Sequence, residues 1–182
     1  ETRGGYVLLE AADVADPTDA LATAVESLTG VSDVAVATDS ARRAALWQYR
    51  ERHTDAVATL GIPHKLDVAV PAGDMASFLA AVPDVVEGAA PGARVFNFGH
   101  AGEAAIHVNI IGPPPDDSAV DEAVLRLVAD HGGSISAEHG IGRAKVAWLD
   151  LAYSAEEQQL RRGIRAAFDP DRIMNPAVLL RC

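Results

Sequence analysis

The chain has 182 residues, of which 15 are Lys or Arg and 26 are Asp or Glu, for a formal net charge of −11. With 49% apolar residues, it is long and hydrophobic enough to bury a sizeable core, which excludes a disordered or fibrous class. The acidic balance, with no Lys/Arg cluster, excludes a nucleic-acid partner, because nothing would neutralise the phosphates. An anionic small molecule stays open, since a few local cations decide its binding.

Tyr6–Glu10 (YVLLE) reads as a short buried strand. Asp16-Pro17-Thr18-Asp19 opens an Ala-rich helix through about Leu28, with Pro and acids in its first turn. Val34–Thr38 (VAVAT) reads as a second strand, which would complete a β-α-β unit. Asp39 or Ser40 caps a long helix over about Ala41–Leu60, stopped by Gly61-Ile62-Pro63. Lys65–Val70 (KLDVAV) alternates and reads as a half-buried strand, followed by a helix at about Asp74–Ala81. Ala93–Phe98 and Ala105–Ile111 read as strands flanking a tight connection at Gly99–Ala104, while Gly88–Gly92 has loop composition. Asp121–His131 is amphipathic, with Val124, Leu127 and Val128 inward. From Gly140 the chain is expected to turn helical, through Trp148 and then Glu156–Phe168, and to end in a docked irregular tail, FDPDRIMNPAVLL. Two β-α-β units predict an α+β fold: a ferredoxin-like core with an antiparallel sheet, flanking helices and a C-terminal helical extension.

The single cysteine, Cys182, is the last residue, which rules out an internal disulfide framework and a Cys-type zinc site. No apolar run approaches the roughly 18 residues of a membrane span, and no signal-peptide pattern is visible. A cytoplasmic location, or a peripheral one at a membrane surface, fits this composition. The chain starts without an initiator Met, so Glu1 is expected to be an internal position of a longer gene product.

Chemistry concentrates in two segments. His100 to His107 reads HAGEAAIH, and Glu138-His139-Gly140 follows about thirty residues later. His100, His107 and Glu138 together have the donor set of a catalytic divalent-metal site with open positions for substrate. His139, beside a ligand, can serve as a base without being one. On a strand, His107 and Asn109 share one face and Ile106, Val108 and Ile110 the other. A lone buried His is more often a satisfied core residue; the pair together with Glu138-His139 favours a site. Glu138 could alternatively be a dipole partner at a helix start. Arg50 and Thr54 are i and i+4 on one expected helix, and Lys65 opens the following strand. They could clamp a carboxylate, or Arg50 could simply pair with Glu51 or Asp55 on a solvated face. His53, His64 and His131 read as surface residues, Trp47 and Trp148 as core aromatics.

HAGEAAIHVNI, SISAEHGIGRAK and FDPDRIMNP, in this order and spacing, resemble the C-terminal domain of FAD-linked oxidases of the vanillyl-alcohol-oxidase type. That group includes D-lactate dehydrogenase, the glycolate oxidase flavin subunit and D-2-hydroxyglutarate dehydrogenase. LWQYRE and HKLDVAVP are similar to its substrate-side segments, and the likeness runs from about Tyr6 to Pro176. The resemblance implies one substrate-binding (cap) domain over 1–182, with FAD bound mainly by a separate domain of the same protein outside this chain. It implies His100, His107 and Glu138 as ligands of a divalent metal, with zinc favoured by the donors and Mn or Fe also suited. It further implies His139 as catalytic base, Asn109 facing flavin and substrate, and Arg50, Thr54 and Lys65 holding the substrate carboxylate. Asn175 would lie beside the cofactor.

Two departures stand out. The family has Gly-Asp-Gly-Asn between the histidines where this chain has Gly102-Glu103-Ala104-Ala105, a less permissive turn. Its tail reads Asn-Pro-Gly-Lys where this chain has Asn175-Pro176-Ala177-Val178. The expected activity is oxidation of a small 2-hydroxy acid to the 2-oxo acid, with the isolated chain colourless and inactive; a homodimer is an open assembly state. The competing readings are a self-contained metallohydrolase using the same His/His/Glu site, and a non-catalytic ferredoxin-like binding module.

Overall fold

The structure, a computed structural model, describes residues 4–178; Glu1 and Cys182, and with Cys182 the last leucines of the tail, lie outside the described residues. The chain divides into two compact units, 1–56 and 57–182.

The first unit carries helices α1 (Thr18–Glu26) and α2 (Ser40–Glu51). Asp39 caps α2, its side chain accepting from the Arg42 N–H at 2.8 Å, as the sequence predicts. The expected strands do not form: residues 6–10 and 34–38 are irregular, and none of residues 4–56 is buried. An apolar run becomes a strand only when a neighbour supplies its ladder bonds and a layer covers one face. Tyr6, Val7, Val34 and Val36 are instead exposed. Trp47 is half-buried, and its indole N–H donates to Glu10 at 3.2 Å. The expected single helix to Leu60 is interrupted at Arg52, where α2 gives way to α3 (His53–Ala58).

The second unit holds the core. β1 (His64–Ala69), β2 (Arg94–His100) and β3 (Ala105–Ile111) form an antiparallel sheet in the order β1-β3-β2. α4 (Met75–Ala89) connects β1 to β2, and α5 (Ala119–Asp130) follows β3. β3 is thus inserted between two strands joined through a helix, a split β-α-β arrangement, and the α+β class with flanking helices is the expected one.

Alternation gives the sheet two unlike faces. Leu66 and Val68 on β1 and Ile106, Val108 and Ile110 on β3 are buried with Phe78, Val82 and Val86 of α4 and Val120, Val124, Leu125 and Val128 of α5. This apolar stripe carries α4 past Ala81, where the sequence reading ends it, through Pro83 to Ala89. Burial of Val82 and Val86 there outweighs the backbone bond that Pro83 cannot make.

His64 is buried rather than superficial. Nδ1 lies 2.8 Å from Asp121 Oδ1 and Nε2 lies 3.0 Å from the Pro114 carbonyl, so one imidazole ties β1 to α5 and to the proline loop. His131 is half-buried; its Nδ1 donates to the Leu127 carbonyl at 2.8 Å and its ring sits edge-on to Phe78.

After α5 the chain runs beside the open edge of β1 without becoming a fourth strand. It makes a single antiparallel bridge, Ala69 with Ser134. No α-helix starts at Gly140, contrary to expectation; Gly140 and Gly142 have φ of 75° and 56°, and helix returns only at α6 (Leu149–Ala152). Trp148 is half-buried against the core. α7 (Ala155–Phe168) begins with a capping box formed by Ser154 and Glu157. The tail is tied to its end, Arg165 donating to the carbonyls of Val178 and Met174, and Asp169 accepting from the N–H groups of Ile173 and Met174. Among the described residues no helix is long and apolar enough to cross a membrane.

Candidate metal and substrate site

The second face of the sheet is polar. On β1 the outward set is Lys65 and Asp67; opposite them on β3 stand Asn109 and His107, and His107 pairs across to Phe98 on β2. His100 pairs with Ala105, two residues before His107, so the two imidazoles are diagonal neighbours on one face. Their ring centroids lie 6.2 Å apart. Gly99 is required here, because a Cβ would run into the Ala105 carbonyl oxygen. Gly102 faces open space and could be another residue.

The loop after α5 brings Glu138 over this face, its Oε1 3.7 Å from His100 Nε2. One ligand atom from each of His100, His107 and Glu138 lies within 4.8 Å of the others. Metal bonds of 2.0–2.2 Å place tetrahedral ligands roughly 3.3–3.6 Å apart, so the donor set fits a divalent ion with little movement. His139 stacks on His107, with centroids 5.9 Å apart and rings inclined by 27°. No helix starts at Glu138, so the alternative of a helix-dipole partner has no structural basis.

The residue that the sequence reading missed is Asp67. It is 3% exposed, and its Oδ2 accepts from three successive backbone N–H groups, those of Ala137, Glu138 and His139, at 3.1, 2.9 and 2.9 Å. Oδ1 is buried without a hydrogen bond and lies 3.7 Å from His107 Nδ1. Lys145, also buried, donates from Nζ to the Asp67 backbone carbonyl at 2.6 Å. Burial works to raise the Asp67 pKa, but the N–H groups of His139 and Glu138 and the Lys145 charge outweigh it and hold the carboxyl below its ordinary value. Burial pushes the His107 imidazole down, more than Asp67 and Glu138 pull it up. The sequence carries only a partial signal: Asp67 shares the alternating face of KLDVAV with Lys65, but the partners that give it its place are non-local.

The other expected site residues are distributed unevenly. Lys65 pairs with Asn109 across β1 and β3, so both stand on the face that carries His107. Asn109 is buried and Lys65 exposed. Arg50 lies in the last turn of α2, 3.6 Å from Glu51 Oε1; Thr54 is exposed on α3. Both belong to the first unit. Asn175, with φ of 43°, sits in the tail, where its carbonyl accepts from Arg165 at 3.3 Å. Both departures from the family pattern fall on left-handed backbone: Ala104 has φ of 51° and Ala177 of 65°.

Residues 6–179 match the family described as FAD linked oxidases, C-terminal domain. D-2-hydroxyglutarate dehydrogenase of Xanthomonas citri pv. viticola is 39% identical over 157 residues, covering 82% of this chain and 33% of that protein. The mitochondrial D-2-hydroxyglutarate dehydrogenase of Danio rerio is 33% identical over 149 residues (80% of this chain, 28% of the relative). Glycolate oxidase subunit GlcD of Escherichia coli (strain K12) is 33% identical over 159 residues (81% and 30%). The chain therefore spans about a third of the length of the curated relatives it matches.

Proposed function

The chain belongs to the FAD linked oxidases, C-terminal domain family, and from that premise we propose that it is the substrate- and metal-binding part of a flavin-dependent dehydrogenase or oxidase of 2-hydroxy acids. The observation that carries this reading is the convergence of His100, His107 and Glu138 within 4.8 Å on the sheet face that also holds Lys65 and Asn109. Family membership favours it over a metallohydrolase using the same donors.

His100, His107 and Glu138 would hold a divalent ion, zinc before manganese or iron. Bound there, the ion supplies Lewis acidity toward the substrate's hydroxyl and carboxylate. Lys65 attracts the substrate carboxylate as a point charge. A local cation of this kind reconciles an anionic substrate with an acidic chain. His139 takes the hydroxyl proton; its backbone is pinned by Asp67 and its ring is stacked on His107. Asn109 faces the reacting carbon and Asn175 lies toward the cofactor. The flavin, held mainly by the part of the enzyme outside this chain, supplies the two-electron acceptor for the α-hydrogen.

The test is turnover by the complete flavin-bearing protein, with D-2-hydroxyglutarate, D-lactate and glycolate each offered with a dye acceptor. Oxidation of at least one, abolished by chelation and lowered about 10²–10⁴-fold in kcat by His139→Asn, is expected. Oxidation of none, or turnover indifferent to His139→Asn, would overturn the proposal.

A further inference from the structure

We infer that Asp67 is the positioning residue of this site, fixing the His107 tautomer with one carboxylate oxygen and the Glu138-His139 backbone with the other. Ala69 exchanges both backbone bonds with Ser134 across the open edge of β1, so by the two-residue period Asp67 presents its backbone outward too. A fourth strand would continue the ladder there. Instead Lys145 takes the Asp67 carbonyl, and the N–H groups of residues 137–139 turn to the Asp67 side chain. A carboxylate oxygen thus stands where a strand's acceptors would be, and three consecutive amides converge on it as an anion nest. The loop carrying Glu138 and His139 is held in place by Asp67.

The second oxygen has a different task. Oδ1 is buried and lacks a hydrogen bond, a costly condition for a charged acceptor. His107, its direct partner across the antiparallel pair, turns Nδ1 toward it at 3.7 Å. With the proton on Nδ1 the ring donates toward Oδ1, and Nε2 is left as the lone pair able to ligate. Carboxylates behind metal-binding imidazoles act this way, fixing tautomer and ring orientation. Asp67, Glu138 and His139 also lie close enough to share an ion, but Oδ2 already accepts from three donors and Oδ1 is sealed from solvent, so Asp67 acts through His107.

The consequence for metal affinity rests on the proposed His100/His107/Glu138 site; the tautomer does not. Imidazole ¹⁵N–¹H correlation spectra of the metal-free 182-residue chain, at a pH of about 8 and so above the ordinary histidine range, read it directly. His107→Gln assigns the signals. Wild type should show His107 protonated on Nδ1. In Asp67→Asn the amide oxygen can keep the three backbone N–H groups while its NH₂ faces Nδ1, so the proton should move to Nε2. Zn²⁺ affinity should then fall about 10–100-fold with the fold retained. A wild-type His107 protonated on Nε2 overturns the inference without any variant, as does an Asp67→Asn chain with an unchanged tautomer. If the tautomer switches but neither chain binds Zn²⁺, the Asp67 assignment stands and the metal reading fails.

Discussion

His100 Nε2 stands 3.7 Å from Glu138 Oε1, although one ends β2 and the other lies in the loop beyond α5, and both side chains are two-fifths exposed. A pair that exposed adds little to stability; its spacing suits two ligands of one ion. His100→Ala and Glu138→Gln should each weaken Zn²⁺ binding by more than the roughly 10–100-fold of an outer-shell change. Melting should stay within about 0.5 kcal/mol of wild type. Calorimetric titration and thermal melts check the two halves. A non-catalytic binding module predicts no metal effect at all.

At Ala104 opposing terms can be weighed. The left-handed backbone costs a non-glycine residue about 1–2 kcal/mol. Ala104→Gly would relieve that, but it loses a buried methyl worth about 0.8 kcal/mol and adds about 0.5–1 kcal/mol of unfolded-state freedom. The change should be near neutral. Ala104→Val keeps the strain, adds a β-branch that left-handed backbone rarely accepts, and overfills a buried turn, so a loss of about 2 kcal/mol or more is expected by urea unfolding.

His64→Leu removes two hydrogen bonds at once and leaves the Pro114 carbonyl without its partner. The expected loss is about 2–3 kcal/mol, with Zn²⁺ affinity unchanged because His64 faces the helix side of the sheet. Equal losses of stability and metal binding would mean that the two faces are not separable.

Lys145 gives a pH signature. Burial lowers its pKa, more than Asp67 and Asp121 raise it, so the folded chain releases this proton at a lower pH than the unfolded chain does. Between the lowered folded value and the ordinary value of about 10.4 the unfolded state binds more protons, and stability from this group rises with pH. Lys145→Met should remove that rise, seen as a smaller difference from wild type in neutral solution than at alkaline pH. A constant difference would contradict it.

What was legible in the sequence follows a physical divide. Alternation alone was enough to place β1 and β3, because both bury one face, and it put His107 and Asn109 together on the other. The strands expected at 6–10 and 34–38 were read from apolar runs, a signal that carries no information about whether a partner exists. The sequence expectation ends α4 at about Ala81, since the core that carries the helix through Pro83 to Ala89 is not local. The candidate ligands were visible as residue types with a spacing. Asp67 was not, since its importance lies in cross-strand register with His107 and in three backbone amides from a loop some 70 residues on.

Co²⁺ absorption spectroscopy of the 182-residue chain tests most directly whether the proposed metal site also receives a 2-hydroxy acid. A saturable visible band is expected, which changes shape when D-2-hydroxyglutarate or a shorter 2-hydroxy acid is added and is lost in His107→Ala. A Co²⁺ band equally strong in His107→Ala, or none in wild type, would contradict it.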